Sequence, residues 1–112
     1  MTKEAGLIFF GIRFDISEDE IPSVEDRTHP LVRQARAVGL QVYWEDFGVD
    51  MPTYVGFVGR RLAILGVENE VEVAIEQSSL NEVMDKVRNK LGQAGISGEP
   101  KLYMCWLPPT TH

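Results

Sequence analysis

The sequence predicts an α+β fold in which a five-stranded antiparallel or mixed sheet, in the order β-α-β-β-β-α-β, carries two helices on one face. Residues 54–65 are rich in β-branched and aromatic side chains. The run that follows a turn places Val71, Val73 and Ile75 on one face and Glu70, Glu72 and Glu76 on the other, so the two segments together predict a hairpin. Residues 80–91 then place apolar side chains at helical spacing, and Ser79 and Glu82 before and within them have the spacing of a capping box. Without one hairpin strand the order becomes the split βαββαβ pattern, so a ferredoxin-like variant also fits.

The length and composition indicate one soluble domain over residues 1–112, with residues 108–112 as a short C-terminal tail. A chain of 112 residues can bury roughly two-thirds of the surface that its unfolded form exposes, which is enough for one core. Its 44% hydrophobic and 25% charged residues are typical of globular proteins. No segment approaches the ~20 apolar residues of a membrane span, and the single Cys105 excludes an internal disulfide. We therefore expect a cytoplasmic protein without a membrane partner or a cofactor.

The acidic charge argues against nucleic acid as a partner. Eleven basic and seventeen acidic residues give a net charge of −6, which repels phosphate backbones. The segment from Gly56 to Gly59 has the GxxG spacing of a nucleic-acid-binding loop, but it lies inside a predicted strand instead of between two helices. We interpret these two glycines as positions where a large side chain or another backbone segment approaches closely, or as the mark of a bulge.

The first part of the chain predicts an interior strand followed by a loop. Residues 7–16 begin apolar on both faces, which is typical of a central strand, and we expect this strand to lie beside the 54–65 strand. Residues 17–27 are acidic and interrupted by Pro22, which indicates a loop with one short helical turn.

A short helix follows this loop. Pro30 is compatible only with the first turn of a helix, because it lacks an amide hydrogen, so Thr28 or His29 is the expected N-cap. Apolar side chains recur from Leu31 at i+4 and i+7, which predicts one buried stripe. Gly39 is the expected C-terminal stop.

The remaining segments predict two more strands. Residues 40–47 alternate between apolar and polar side chains, which indicates a half-buried strand at or near an edge of the sheet. Residues 48–53 contain Gly, Asp and Pro and predict a loop. Residues 102–107 predict the last strand, and Pro108-Pro109 is expected to end regular structure.

The acidic loop has a spacing that imitates a calcium-binding loop. Asp15, Ser17, Asp19 and Asp26 stand at positions 1, 3, 5 and 12 of that pattern. However, Glu20 occupies the position that needs a glycine for a sharp turn, and the last ligand is an aspartate instead of a bidentate glutamate. We therefore predict a solvated loop and no metal site.

His29 is the one candidate for acid–base chemistry. It is the only histidine away from the C-terminus, and Asp26, three residues earlier, could orient its imidazole as a base. A structural role beside a helix cap fits the same position. Cys105 lies inside a predicted strand, where a small core hydrophobe is the usual role. Because no nucleophile motif is present, the sequence leans towards a protein without catalytic activity.

Three arginines on neighbouring strands permit two interpretations. Arg13, Arg60 and Arg61 could meet across adjacent strands and form an anion site for a small-molecule ligand. They could equally pair with the glutamates of the predicted hairpin, which is common for opposite charges on adjacent strands. We favour the second interpretation.

The aromatic residues of the strands are the strongest indication of a binding surface. If helices cover one face of the sheet, Tyr43, Trp44 and Trp106 cannot all lie beneath them, and exposed Tyr and Trp side chains are good anchors for a partner. The alternative is that they fill a second layer of a small core.

Two functions remain open from the sequence. We favour a non-catalytic protein-interaction or regulatory module that forms a homodimer through the sheet face or through an edge strand bearing Tyr43 or Trp106. The alternative is a small ligand-binding or enzymatic domain, with a site near residues 15–29 and at Arg60 and Arg61. In this second case Asp26 and His29 would be the acid–base pair.

Overall fold

The computed structural model describes residues 3–48, 50–66 and 72–110, which form an α+β fold. The elements in chain order are β1 (Lys3–Ile16), a 3-10 turn (Glu18–Glu20), α1 (Ile21–Glu25), α2 (Pro30–Ala37), β2 (Gln41–Asp46), β3 (Tyr54–Leu65), α3 (Gln77–Ala94) and β4 (Lys101–Thr110). The four strands make one antiparallel sheet in the order β2-β3-β1-β4. Within the described ranges, no helix is long and apolar enough to cross a membrane.

The sheet has four strands in its described part, so the predicted fifth strand is not confirmed. Residues 72–75 belong to no strand, and Val71 lies outside the described residues, as does most of the predicted turn at 66–69. The alternating pattern indicated a segment with two different sides. It did not specify a hydrogen-bonding partner, and α3 begins directly after this segment at Gln77.

β1 lies at the centre of the sheet beside β3, as predicted. It pairs with β3 along residues 6–16 and with β4 along residues 3–11. Its two apolar faces have different surroundings: Phe10 packs against the helices, whereas Leu7 and Phe9 lie on the opposite side of the sheet. β2 is an edge strand, also as predicted.

Both long helices pack on one side of the sheet, which we call the helix face. Ala35 of α2 and Val87 and Leu91 of α3 are buried against Phe10 of β1 and Val58 of β3. Full burial of a valine, leucine or phenylalanine side chain stabilises the fold by about 1.5–3 kcal/mol relative to exposure. His29 is the N-cap of α2 and Gly39, in a left-handed conformation, follows its end, both as predicted.

The other side of the sheet, which we call the helix-free face, is closed by the curvature of the sheet itself. Leu7, Phe9, Val55 and Phe57 are only 1%, 0%, 3% and 3% exposed. The edge strands β2 and β4 approach each other over this face. The ring of Tyr103 packs on Phe57 at 5.2 Å between centroids. A bulge in the β1–β3 pairing adds local twist, which favours this curl.

Two predicted boundaries are wrong in the structure. The capping box at Ser79 and Glu82 does not form, because α3 begins at Gln77 with Glu76 as its N-cap. β4 continues through Pro108-Pro109 to Thr110. An edge strand tolerates proline because one side of its backbone has no strand to pair with. Residues 108–110 are therefore part of the sheet, and residues 111–112 lie outside the described part of the chain.

The glycines of the sheet mark close approaches, as the sequence indicated. A Cβ atom on Gly59, whose φ is +155°, would lie 2.1 Å from the carbonyl oxygen of Phe10. A Cβ atom on Gly11, its partner across the strands, would lie 2.0 Å from the carbonyl oxygen of Val58. β1 and β3 can therefore approach this closely only if both positions lack a side chain.

Replacing Gly59 by Ala should lower the free energy of unfolding by at least about 2 kcal/mol, because the added methyl group collides with rigid backbone. Gly92→Ala in α3 is a matched control, since no atom lies within 4 Å of its Cβ position. That change should raise the free energy of unfolding by about 0.5–1 kcal/mol through helix propensity. Urea denaturation measures both, and equal effects of the two substitutions would contradict the close contact.

Candidate functional site

His29 has both ring nitrogens engaged in structural hydrogen bonds. Nδ1 accepts a hydrogen bond from the backbone N–H of Leu31 at 3.2 Å, so Nε2 carries the proton and donates to Glu20 Oε2 at 2.8 Å. The side chain is 12% exposed. Asp26, the predicted partner, is exposed and has no side-chain hydrogen bond to a described residue. This geometry suits a helix cap and leaves no free ring nitrogen for proton transfer.

Glu20 organises the loop that contains His29. Its Oε1 accepts hydrogen bonds from the backbone N–H and the hydroxyl of Ser17, both at 3.0 Å. The Ser17 N–H, the imidazole of His29 and the Ser17 hydroxyl, in this order, lower the pKa of Glu20 to about 2. The Ser-x-x-Glu spacing of residues 17–20 is a capping-box signal. It is the signal that could have identified Glu20 from the sequence instead of Asp26.

The three predicted ligand-binding arginines do not converge. Arg60 and Arg61 are neighbours on β3 and point to opposite faces, since Arg60 pairs across from Phe10 and Arg61 from Phe9. Arg13 shares the helix-free face with Arg61, but four residues of strand, about 13 Å, separate their positions. Arg13 instead forms an ion pair with Asp15 at 3.1 Å.

Cys105 and His29 lie on different faces of the sheet. Cys105 is on the helix-free face beside the Leu7 and Phe9 cluster, whereas the ring of His29 lies 5.8 Å from Phe14 on the helix face. Burial raises the pKa of the Cys105 thiol, which lowers its thiolate fraction at neutral pH. The structure therefore does not bring the two nucleophile and base candidates together.

The three predicted interface aromatics have different environments. Tyr43 is half-buried on the helix-free face, and its hydroxyl donates to Glu45 Oε2 at 3.3 Å. Burial and then the Glu45 charge raise the pKa of Tyr43 to about 12. Trp44 is half-buried on the helix face, 6.5 Å from the ring of Tyr54. Trp106 alone is largely exposed, at 71%.

Trp106 belongs to an exposed apolar row on β4. Leu102, Met104 and Trp106 alternate along the strand, point to the helix face, and are 48%, 72% and 71% exposed. We call these three residues the β4 strip. They are three of the five exposed large hydrophobic side chains among the described residues. Of these three residues, the sequence patterns pointed only to Trp106 as a candidate for the interface. The run from 102 to 107 contains no acidic residue, and this is the signal that could have identified the whole strip.

A second surface feature lies along the outer edge of β2. A cavity of about 620 Å³ is bordered by Val42, Tyr43 and Trp44 of β2 and by arginines at positions 27 and 36.

No group of three or more His, Cys, Asp or Glu side chains in the described ranges is placed to hold a metal ion.

The chain has no recognised relative among the proteins with which it was compared. The comparisons of this chain with protein-family models, with curated proteins and with solved structures found no match. Any functional inference therefore comes from the side chains described above.

The Glu20 contacts should make stability depend on pH in the acid range. Because folding lowers the pKa of Glu20 from 4.5 to about 2, its contribution is present above 4.5 and is lost as the pH falls towards about 2. Glu20→Gln should lower stability at neutral pH and flatten the pH dependence across this range. Glu18→Gln, on the same turn, is the control. Parallel stability–pH curves for wild type and Glu20→Gln would contradict this role.

Replacing His29 should cost stability through the lost cap. We expect His29→Ala to lower the free energy of unfolding by about 1–2 kcal/mol, because the N–H of Leu31 loses its acceptor. His29→Asn should recover part of this loss, since asparagine is a good N-cap. Chemical denaturation at pH 7 measures the series. If Asn is as damaging as Ala, capping is not the reason that His29 matters.

Proposed function

We propose that this protein is a non-catalytic protein-interaction module of the cytoplasm that forms a homodimer through the edge strand β4. The β4 strip carries this proposal, because it combines exposed apolar side chains with an open strand edge. The engaged nitrogens of His29 and the raised pKa of the Cys105 thiol support a role without catalysis.

The edge of β4 lacks the usual protection against pairing. Natural edge strands carry charges, prolines, bulges or a covering segment that block addition of another strand. No described strand covers the outer edge of β4. The only charged residue of β4, Lys101, stands at its first position, and the prolines at 108 and 109 stand near the other end. The six residues between them are uncharged and contain no proline. This stretch therefore fits a partner strand.

A second copy of the chain is the partner that fits the strip best. In a two-fold antiparallel pairing centred on Met104, Leu102 lies opposite Trp106 of the second copy, and the two methionines face each other. The same residues then serve both copies, as an isologous interface requires. Each large side chain of the strip meets an apolar neighbour, which removes it from water.

The acidic charge of the chain does not prevent this pairing. Two copies of charge −6 repel at long range, but salt screens such repulsion beyond about 8 Å at physiological ionic strength. The strip itself contributes no negative charge. Because three side chains and one strand edge make a small interface, we expect a dissociation constant in roughly the micromolar range.

We also infer that the fold is a ferredoxin-like split βαβ arrangement. If only the longer helices α2 and α3 are counted, the described element order is β-α-β-β-α-β. This order and the antiparallel strand order β2-β3-β1-β4 support the inference. Since this arrangement serves many unrelated functions, it leaves the interaction proposal resting on the β4 strip alone.

Placing a charge in the strip should dissociate the dimer. We expect Met104→Arg to raise the dissociation constant by at least about tenfold, because the new charge would be buried without a partner. Met51→Arg is the matched control, since Met51 is similarly exposed, at 75%, but belongs to the loop between β2 and β3 and not to β4. Light scattering after gel filtration measures the mass over a concentration series. A monomeric wild type at millimolar concentration would contradict the proposal.

The pairing register can be tested by disulfide formation in a Cys105→Ser background. With the two-fold axis at Met104, a cysteine at 104 faces its own copy, so Met104→Cys should yield a covalent dimer under mild oxidation. Leu102→Cys faces Trp106 of the second copy and should remain uncrosslinked. Non-reducing gels distinguish the two, and efficient crosslinking only through position 102 would place the axis elsewhere.

A further inference from the structure

The outer edge of β2 carries a groove that dimerisation through β4 does not use. The cavity of about 620 Å³ contacts Val42 and Trp44, which lie on the helix face, and Tyr43, which lies on the helix-free face. The same cavity also contacts Leu7 and Phe9 of β1, so it extends around the β2 edge, where a neighbouring strand would run, and onto the helix-free face. We call this space, with Arg27 and Arg36 on its wall, the β2 groove.

The backbone of β2 pairs with another described strand on one side only. β2 pairs with β3 over residues 41–46 and is the last strand of the sheet on this side. Alternate residues of an antiparallel edge strand direct their N–H and C=O groups away from the sheet. Asp46 N–H is engaged by the adjacent Glu45 side chain at 3.2 Å, which marks the end of the open stretch.

The wall of the groove is basic on an otherwise acidic protein. Arg27, Arg36 and Arg61 line it together with one acidic residue, Glu25. The side chains of Arg27 and Arg36 are exposed and form no hydrogen bond or ion pair with a described residue. Two cations that no described residue pairs with, beside the edge of a strand, favour an anionic occupant.

Arg27 stands at a backbone position that does not favour a side chain. It follows the C-cap of α1 with φ of +63°, in the left-handed region where glycine or asparagine is usual. An arginine at this position costs conformational energy that a glycine would avoid. A glycine at position 27 would avoid this cost but would remove a cation from the wall of the groove.

We infer that the β2 groove binds an extended acidic segment of another protein, which adds to the sheet as a fifth strand beside β2. Strand addition obtains affinity from main-chain hydrogen bonds and specificity from alternate side chains. The acidic side chains of the segment would meet Arg27 and Arg36, and its apolar side chains would meet Val42 and Trp44. A free small anion would use the arginines but neither the strand edge nor the apolar residues.

The test uses the uniformly ¹⁵N-labelled full chain and a capped peptide of alternating Glu and Val, six residues long. We expect the largest amide shifts at residues 41–46, where new hydrogen bonds form. Arg36→Glu should weaken binding by at least about tenfold, because it reverses a charge on the wall. Arg33→Glu is the matched control: Arg33 is an exposed arginine on the same helix, and it lines a separate depression. Arg33→Glu should leave the dissociation constant within about twofold of the wild-type value. It changes the net charge of the protein as Arg36→Glu does, but it does not change the wall of the groove.

Four outcomes would overturn the inference. Equal binding of a Lys-Val peptide would remove the charge argument, and equal binding of a peptide with N-methylated backbone amides would remove strand addition. The same shifts with free glutamate would make the groove a small-anion site. The same shifts on concentrating the protein alone would make the occupant a second copy.

The experiment also separates this site from the β4 interface. The Met104→Arg variant should bind the acidic peptide as wild type does, because Met104 does not line the groove. Loss of peptide binding in that variant would contradict the assignment to β2. Peptide binding by a protein that proves monomeric would support the groove while contradicting dimerisation.

Discussion

The close pairing of β1 with β3 is the constraint on which the rest of the structure depends. Gly11 and Gly59 face each other where a Cβ atom would lie about 2 Å from a carbonyl oxygen of the opposite strand. A bulge interrupts the register between Ile8 and Phe9. Absent side chains and local twist together allow two long strands to coil strongly. The coiling brings the edge strands towards each other over the helix-free face.

This curvature decides which apolar residues become core and which remain on the surface. On the helix-free face, Phe9 and Phe57 are buried without a covering helix, because Tyr43 and Tyr103 close over them from the two edges. On the helix face, α3 packs on β1 and β3, and the β4 strip remains exposed beyond it. Among the described residues, the largest group of exposed apolar side chains therefore lies on an edge strand of the sheet.

The acidic loop has a structural role beside the edge strand β2. Glu20 joins Ser17 to His29 and so ties the 3-10 turn to the start of α2. The segment that follows α1 places Arg27 beside β2, and α2 places Arg36 there. The loop that resembled a catalytic or metal-binding segment in the sequence thus serves to hold α1 and α2 against the β2 edge.

Local patterns in the sequence determined the central position of β1, the edge position of β2 and the limits of α2. They also determined the close approaches at Gly59 and at Gly56, where a Cβ atom would lie 2.3 Å from the ring of Phe14. Each depends on residue type and spacing within a few residues, where backbone sterics and side-chain alternation act directly. Among the site residues, the same reasoning identified Trp106 as a surface aromatic on an edge strand.

Only the tertiary structure decided which segments and side chains meet. The alternation at 72–75 could not specify a pairing partner, and proximity in sequence suggested Asp26 for His29 where the fold supplies Glu20. Neighbouring residues of a strand face opposite sides, so Arg60 and Arg61 lie on opposite faces of the sheet. Periodicity reports which side a residue faces. Which neighbour covers that side depends on contacts between distant parts of the chain, and these exist only in the folded protein.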